Sequence, residues 1–216
     1  MMILGTIFIN AIAVILIYLI EYDNPNTLAP LSESGKWLAS WFQALTPRTA
    51  GFNTLAIDQL EDATTAVMLM LMFIGGGSMS TASGIKVVTF MILILATYSY
   101  FRRDEAIYVF KREIPKETVS KAFALTIMSI GVSCLAIFSL LLSEKAPMLD
   151  IIFEAISALG TVGLSRGLTA NLSSAGELII IFLMFMGRLG PLTLAYFLAS
   201  PRTTKLRYPS TKLAIG

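Results

Sequence analysis

Two short polar stretches in a mostly apolar chain hold the residues that could do chemistry. One reads TPRTAGFNT and begins at Thr46, and the other reads TVGLSRGLT and begins at Thr161. Each follows an apolar run, residues 37–45 and 148–159, that is too short to cross a hydrocarbon core of about 30 Å. Backbone carbonyls in a loop at membrane depth can replace the water around a small cation. The pattern therefore predicts two cation-coordinating loops.

The glycines in these loops support that interpretation. Gly51 and Gly163 would supply the unusual dihedrals that turn carbonyl oxygens toward an axis, and Thr49 and Thr161 would add oxygens. An isolated Gly in a membrane loop is more often a simple turn or a close packing contact. The same Thr-x-Gly pattern after a short helix occurs twice in this chain, which favours a filter.

The composition indicates a membrane protein without enzymatic activity. Hydrophobic residues make up 56% of the chain and charged residues only 14%, whereas soluble domains have about a quarter charged residues. The chain has no His and a single Cys, Cys134. It therefore lacks the commonest general base and metal ligand, and it can form no intramolecular disulfide. We expect no cofactor and no nucleic-acid partner.

Four long apolar segments predict membrane-spanning helices. They are residues 1–20, 64–101, 122–142 and 178–200. The second is interrupted by GGGSMSTASG at positions 75–84. This stretch could be an ordinary surface loop, but its apolar flanks are marginal as separate spans, so we expect a loop within the membrane.

The distribution of basic residues predicts the orientation. Six of the 16 Lys and Arg residues lie in the connection 102–121, and four lie after Ser200. Because Lys and Arg are enriched on the cytoplasmic side, both segments are predicted to be cytoplasmic. The protein is then a multi-pass component of the cell membrane with a cytoplasmic C-terminus, in contact with lipid.

The sequence also repeats internally. LMFIG at positions 71–75 recurs as LMFMG 112 residues later, at the same offset as Gly51 and Gly163. We therefore expect an all-α integral membrane fold of two parallel helix–pore loop–helix repeats. The first repeat spans residues 1–101 and has a broken inner helix, the connection spans 102–121, the second repeat spans 122–200, and the tail spans 201–216.

These motifs resemble those of a known family. TPRTAGFNT, FIGGGSMSTASGIK, FEAISALGTVGLSRGLT and MFMGRLGPLTLA are similar to segments of the Trk/Ktr/HKT superfamily of potassium transporters, and most similar to the bacterial Ktr-type membrane pore subunit. The resemblance implies four helix–pore loop–helix repeats around one pore, of which this chain resembles the third and fourth. It further implies potassium as the transported ion, and sodium as a stimulating ion in many members.

The resemblance also assigns roles to matching positions. The selectivity filter would comprise Thr49, Ala50, Gly51, Phe52, Asn53, Thr161, Val162, Gly163 and Leu164. Gating would involve Gly75, Gly76, Gly77, Ser78, Ser80, Thr81, Ser83, Gly84, Lys86 and Arg188. The alternatives for Arg188 are a structural ion pair or a side chain that reaches the membrane surface.

The resemblance implies partners as well. These are the missing first and second repeats on the same or a separate chain, a second copy in a homodimer, and a cytoplasmic ring of nucleotide-binding regulatory subunits. The predicted function is potassium uptake as the ion-translocating subunit, or a fragment of it. The alternative is a non-conducting membrane scaffold, or a half-transporter that completes another pore subunit.

Overall fold

The computed structural model describes residues 1–77, 83–103 and 106–190. These residues form seven α-helices, two short 3-10 turns and one β-hairpin. In chain order the elements are α1 (Met2–Glu21), α2 (Glu33–Leu45), a 3-10 turn (Ile57–Gln59), α3 (Asp62–Phe73), α4 (Val87–Arg102), β1 (Ile107–Val109), β2 (Arg112–Ile114), α5 (Lys116–Ser143), α6 (Met148–Leu159), a 3-10 turn (Thr169–Asn171) and α7 (Ser174–Leu189).

Two of the described helices, α1 and α5, are long and apolar enough to cross a bilayer. A helix satisfies its own backbone hydrogen bonds, which hydrocarbon requires of any segment that crosses it. Many of their large apolar side chains are exposed in this chain, among them Ile3 and Phe8 on α1 and Leu135 and Phe138 on α5. An apolar surface of this kind favours contact with lipid or with another apolar partner over contact with water.

The short helices differ in how well the sequence predicted them. α6 has the bounds expected from its apolar run, Met148–Leu159. α2 begins at Glu33, four residues before the expected start at Trp37. Ser32 caps α2, because its hydroxyl accepts a hydrogen bond from the Gly35 N–H at 3.3 Å. Ser is a preferred N-cap residue, and a reading of apolar residues alone missed this polar first turn.

The connection 102–121 contains a short β-hairpin within an otherwise helical structure. β1 and β2 pair in antiparallel register, with Tyr108 opposite Glu113, and Phe110 and Lys111 form the turn with φ of 49° and 63°. α5 then begins at Lys116, inside the segment expected to be a connection. Strands of three residues are too short to show a recognisable alternation in the sequence, so the hairpin was missed.

The last predicted span lies only partly within the described residues. α7 begins at Ser174, four residues before the expected start, because the Ser173 hydroxyl caps it by accepting from the Gly176 N–H. The helix is described as far as Leu189. Residues 191–200 of the predicted span and the tail 201–216 lie outside the described residues.

α6 is enclosed by helices on two sides. Phe153, which is fully buried, packs with Met68 and Met72 of α3 in one apolar cluster. On its other side Ile151 packs in a second cluster that includes Leu183 of α7. Replacing a buried Phe with Ala typically costs about 3–5 kcal/mol. This packing fixes the position of α6, and with it the start of the loop that follows.

Two carboxylates connect helix ends in the same way. Glu21 at the end of α1 is fully buried and accepts a hydrogen bond from the Glu61 N–H at 2.9 Å. Glu144, directly after α5, accepts one from the Ser173 N–H at 3.1 Å, and the hydrogen bonds from Ser173 lower the pKa of Glu144. Glu61 and Ser173 are the N-cap residues of α3 and α7. Each carboxylate thus holds the start of a later helix against the end of a long one.

Glu21→Gln is expected to lower the free energy of unfolding in detergent by about 2 kcal/mol. Besides the Glu61 N–H, the carboxylate accepts from Asn24 Nδ2 at 2.7 Å and from Thr27 Oγ1 at 2.6 Å, and a neutral amide cannot accept from all three donors. Thermal unfolding of the purified chain measures the change. The control is Glu113→Gln, whose side chain is exposed on β2; an equal loss in both variants would contradict the assignment.

Candidate functional site

The chain turns back on itself directly after α2. The carbonyl oxygen of Thr46, the C-cap residue, accepts hydrogen bonds from the N–H groups of both Ala50 and Gly51 at 3.2 Å. The Thr46 hydroxyl donates to the carbonyl oxygen of Phe52. Thr46 therefore holds the whole turn through its backbone and its side chain.

The chain turns in a similar way after α6. The Thr161 N–H donates to the carbonyl of Ala158 at 3.0 Å, and the Val162 N–H donates to the carbonyl of Ser157 at 2.9 Å. These bonds use carbonyls of the last helical turn, which have no partner within the helix itself. The loop is thus anchored on the end of the enclosed helix α6.

Both turns contain two residues with positive φ at the same spacing. The angles are 65° at Thr49 and 71° at Gly51, and 50° at Thr161 and 89° at Gly163. Glycine adopts this region without steric cost, but for a β-branched Thr it is a true outlier. Such strain, of about 1–3 kcal/mol per residue, persists only where the surroundings enforce it, and it concentrates at functional sites.

Several carbonyl oxygens of these turns have no hydrogen-bond partner among the described residues. Among the hydrogen bonds of the described residues, none ends on the carbonyls of Thr49, Ala50, Gly51, Thr161, Val162 or Gly163. Most backbone carbonyls in a protein interior do have a partner. The turns also follow the C-terminal ends of α2 and α6, where the helix dipole is negative. Unpaired carbonyls at such a position are suited to a dehydrated alkali cation.

The two turns lie against each other. A Cβ atom added to Gly51 would overlap the carbonyl oxygen of Val162, and it would lie 3.6 Å from the Cα of Gly163. A Cβ atom added to Gly163, by contrast, would come no closer than 4.0 Å to the Cα of Gly51. The two loops, 112 residues apart in the sequence, therefore form one site.

One predicted gating residue contacts this site. Thr161 Oγ1 and Ser83 Oγ are hydrogen bonded at 2.9 Å. Ser83 precedes Gly84, which has a φ of 79°. Ser83 also lies against Gly75, since a Cβ atom added to Gly75 would overlap the Ser83 carbonyl. The segment between α3 and α4 is thus in direct contact with the second turn.

The other predicted filter residues differ in how exposed their side chains are. Phe52 is 70% exposed and Asn53 is exposed, so their side chains do not contribute to an enclosed site in this chain. Val162 and Leu164 are buried, and both side chains pack in the apolar cluster with Phe153. These two residues hold the loop through their side chains, while the main chain carries the free oxygens.

Only some of the other predicted gating residues lie within the described residues. Gly76 and Gly77 follow Gly75 after the end of α3, and Lys86 is the N-cap residue of α4. Arg188 lies in the last turn of α7 and is exposed in this chain. Ser78, Ser80 and Thr81 lie outside the described residues.

The sequence reasoning missed a polar group beside the second turn. Arg166 Nε donates to Asp150 Oδ1 at 2.8 Å, and Ser165 Oγ donates to Glu154 Oε2 at 2.8 Å. Asp150 and Glu154 are four residues apart in α6 and so share one face of that helix. The sequence did contain a signal for this group. An apolar helix has two acidic residues four positions apart, and a Ser and an Arg follow the Gly of the next turn.

Known proteins match almost the whole chain. The TrkH family, described as a cation transport protein, matches residues 1–205. The Ktr system potassium uptake protein B of Bacillus subtilis (strain 168) is 44% identical over 216 residues, which is 100% of this chain and 48% of that protein. The protein of the same name in Vibrio alginolyticus is 42% identical over 215 residues, 100% of this chain and 47% of that protein.

A solved structure has a similar fold. The crystal structure of the potassium transporter TrkH from Vibrio parahaemolyticus superimposes with a TM-score of 0.78 at 21% identity, covering 90% of this chain and 43% of that one. This similarity identifies a mostly helical, TrkH-like fold. The chain spans about half the length of the curated relatives that it matches.

Gly51→Ala is expected to destabilise the chain more than Gly163→Ala does. Both replacements place a side chain at positive φ, which costs about 1–2 kcal/mol. Only the first also overlaps the backbone of the other turn, and such overpacking adds about 1–3 kcal/mol. Thermal unfolding in detergent compares the two variants. Equal losses would show that the two turns are not in contact.

Proposed function

The chain belongs to the TrkH family of cation transport proteins, and on that premise we propose that it is part of the ion-translocating subunit of a potassium uptake system. Its two turns serve as two of the loops that line a selectivity filter. The relatives in Bacillus subtilis and Vibrio alginolyticus are named for potassium uptake, which supports potassium as the transported ion. Sodium is a second ion to test.

One observation carries this proposal. Two turns at the same spacing each have a strained Thr and a Gly at positive φ. They lie against each other, and several of their carbonyl oxygens have no partner in the part of the chain that the structure describes. Carbonyl oxygens replace the hydration shell of an entering ion, and the chemistry is binding and release without covalent steps. The negative C-terminal ends of α2 and α6 lower the energy of a cation at this position.

The proposed architecture is two parallel helix–pore loop–helix repeats in a membrane. The first repeat comprises α1, the short helix α2, and an inner helix that is broken into α3 and α4. The second repeat comprises α5, the short helix α6, and α7. The basic connection between α4 and α5 faces the cytoplasm, so α2 and α6 enter from the outside. The loop between α3 and α4 then lies beneath the filter as a gate, with Lys86 and Arg188 as its charged neighbours.

Two loops cannot surround an ion as four loops do. Because the chain spans about half the length of its relatives, we propose that it completes its pore with two further repeats on the same or another polypeptide. The same length supports the second candidate, a half-transporter that completes another pore subunit. The homodimer and the cytoplasmic nucleotide-binding ring remain proposals for the assembled protein.

Rubidium flux into liposomes tests this function. The chain is reconstituted alone, and also together with the part of the Bacillus subtilis relative that the match leaves uncovered. We expect flux in the combined sample, with rubidium preferred over sodium. No flux in either sample, from folded protein, would contradict the proposal and favour a non-conducting scaffold.

Gly163→Ser is expected to lower the rubidium-to-sodium flux ratio by about tenfold, a change of about 1.4 kcal/mol in relative barrier height. The added side chain has room, since its Cβ is 4.0 Å from the nearest atom outside its neighbours, so the fold should survive. The substitution adds a hydroxyl group and backbone strain beside the carbonyl oxygens of the turn. An unchanged ratio in a conducting, folded variant would show that the turn is not the filter.

Ser83→Ala is expected to raise the rubidium flux about two- to fivefold. It removes the hydrogen bond between the loop and Thr161, and a hydrogen bond of this kind contributes about 0.5–1.5 kcal/mol. Initial flux rates measure the effect at matched protein content. The control is Ser139→Ala on α5, whose hydroxyl bonds only to its own helix; a similar rise there would exclude a specific contact between gate and filter.

A further inference from the structure

Arg166 connects the second turn to the other half of the chain. It lies three residues after Gly163, and its side chain is 12% exposed. Its guanidinium donates to three groups: Nε to Asp150 Oδ1 at 2.8 Å, and Nη1 to Thr65 Oγ1 at 2.9 Å and to the Ile57 carbonyl at 3.3 Å. Asp150 belongs to α6, while Thr65 and Ile57 belong to the first half of the chain. One side chain therefore joins the two halves beside the paired turns.

The geometry requires a guanidinium. Arginine presents several N–H donors in a fixed planar arrangement, whereas the ammonium of Lys is a compact charge on a flexible stem. The Asp150 carboxylate is 23% exposed, so the ion pair is partly shielded from water and contributes more than a pair on the open surface. Thr65 is fully buried, so its position in α3 is fixed by packing. The hydrogen bond from Arg166 to Thr65 therefore restrains the position of the second turn relative to α3.

The neighbouring residue holds the same segment from the other side. Ser165 donates to Glu154, which is 6% exposed, and Thr169 donates to the second oxygen of the same carboxylate. Leu164 packs into the apolar cluster that includes Ile57. The three residues after Gly163 are thus each fixed, but only Arg166 makes polar bonds across to α3 and the turn before it.

This bracing occurs once among the described residues. The residue 112 positions before Arg166 is Thr54. The short helices align at an offset of 114, since QAL at 43–45 matches SAL at 157–159, so the counterpart of Asp150 is Lys36. The first turn therefore has no equivalent pair. The first turn is instead held by Thr46 through its own loop. Besides the direct contact between the turns and their shared apolar cluster, the two halves are therefore joined here by a polar network that belongs to the second turn alone.

We propose that Arg166 is a positioning residue that sets the distance between the two filter loops, and that it thereby determines the selectivity of the pore. The proposal rests on the proposed function, because selectivity has meaning only for a conducting pore. A site that distinguishes ions by its ring of oxygens must hold them within about 0.5 Å. Loosening the brace should therefore change selectivity before it changes folding.

The test is Arg166→Lys in the reconstituted assembly, with rubidium and sodium fluxes measured on the same preparations. We expect the rubidium-to-sodium ratio to fall by about tenfold, as expected for the loss of charge-assisted hydrogen bonds, while the total cation flux persists. The matched control is Arg112→Lys in the exposed strand β2, which should leave the ratio unchanged. Thermal unfolding in detergent verifies that each variant is folded.

A second variant keeps the test independent of the charge. Thr65→Val removes only the hydroxyl that accepts from Arg166 and preserves the side-chain shape. It should lower the ratio in the same direction, and the double variant should add little to Arg166→Lys, since coupled residues are not additive. Additive effects would show that Arg166 acts without Thr65, and they would overturn the proposed brace.

The outcomes separate this inference from the proposed function. If Gly163→Ser changes the ratio but folded Arg166→Lys does not, the inference is wrong and the filter remains. If the unaltered assembly shows no flux, the proposed function fails and the inference fails with it. A lower ratio in Arg166→Lys and Thr65→Val, with an unchanged ratio in Arg112→Lys, supports the inference.

Discussion

Unpaired backbone carbonyls in an apolar protein must be compensated. In hydrocarbon each such group costs several kcal/mol, so a membrane protein keeps irregular backbone where protein or a polar ligand surrounds it. Among the described residues no donor bonds to the carbonyls of Thr49 to Gly51 or Thr161 to Gly163, while the N–H groups of Ala50, Gly51, Thr161 and Val162 bond back to the ends of α2 and α6. We propose that a cation satisfies this set of oxygens. The rest of the structure can be understood as a support for these two turns.

Three sets of contacts provide that support. The fully buried Phe153 and its neighbours fix α6 between α3 and α7, which places the start of the second turn. Glu21 and Glu144 fix the starts of α3 and α7. Arg166 then joins the end of the second turn to α3. Strained threonines at positive φ persist only where the surrounding contacts enforce that conformation. The packing and hydrogen bonds around the turns are therefore what maintains the strain.

The sequence predicted the features that rest on local pattern. Thr-x-Gly after a short apolar helix predicted the positive φ of Gly51 and Gly163 but not that of Thr49 and Thr161. The apolar run predicted α6 to the residue. The features it missed depend on other information. The first turn of α2 is polar and depends on the Ser32 cap, and the strands of the hairpin are too short to show alternation. The bonds of Arg166 and of Ser83 join residues 101 and 78 positions from their partners, and a single sequence contains no signal for a specific distant pair.

We propose above all that the two turns bind the same transported cation. The most direct measurement is a structure of the chain assembled with the part of the Bacillus subtilis relative that the match leaves uncovered, in rubidium chloride, with the rubidium positions taken from anomalous scattering. We expect rubidium peaks within coordination distance of the carbonyl oxygens of Thr49, Ala50, Thr161 and Val162. Occupied rubidium sites elsewhere, with none between these turns, would contradict it.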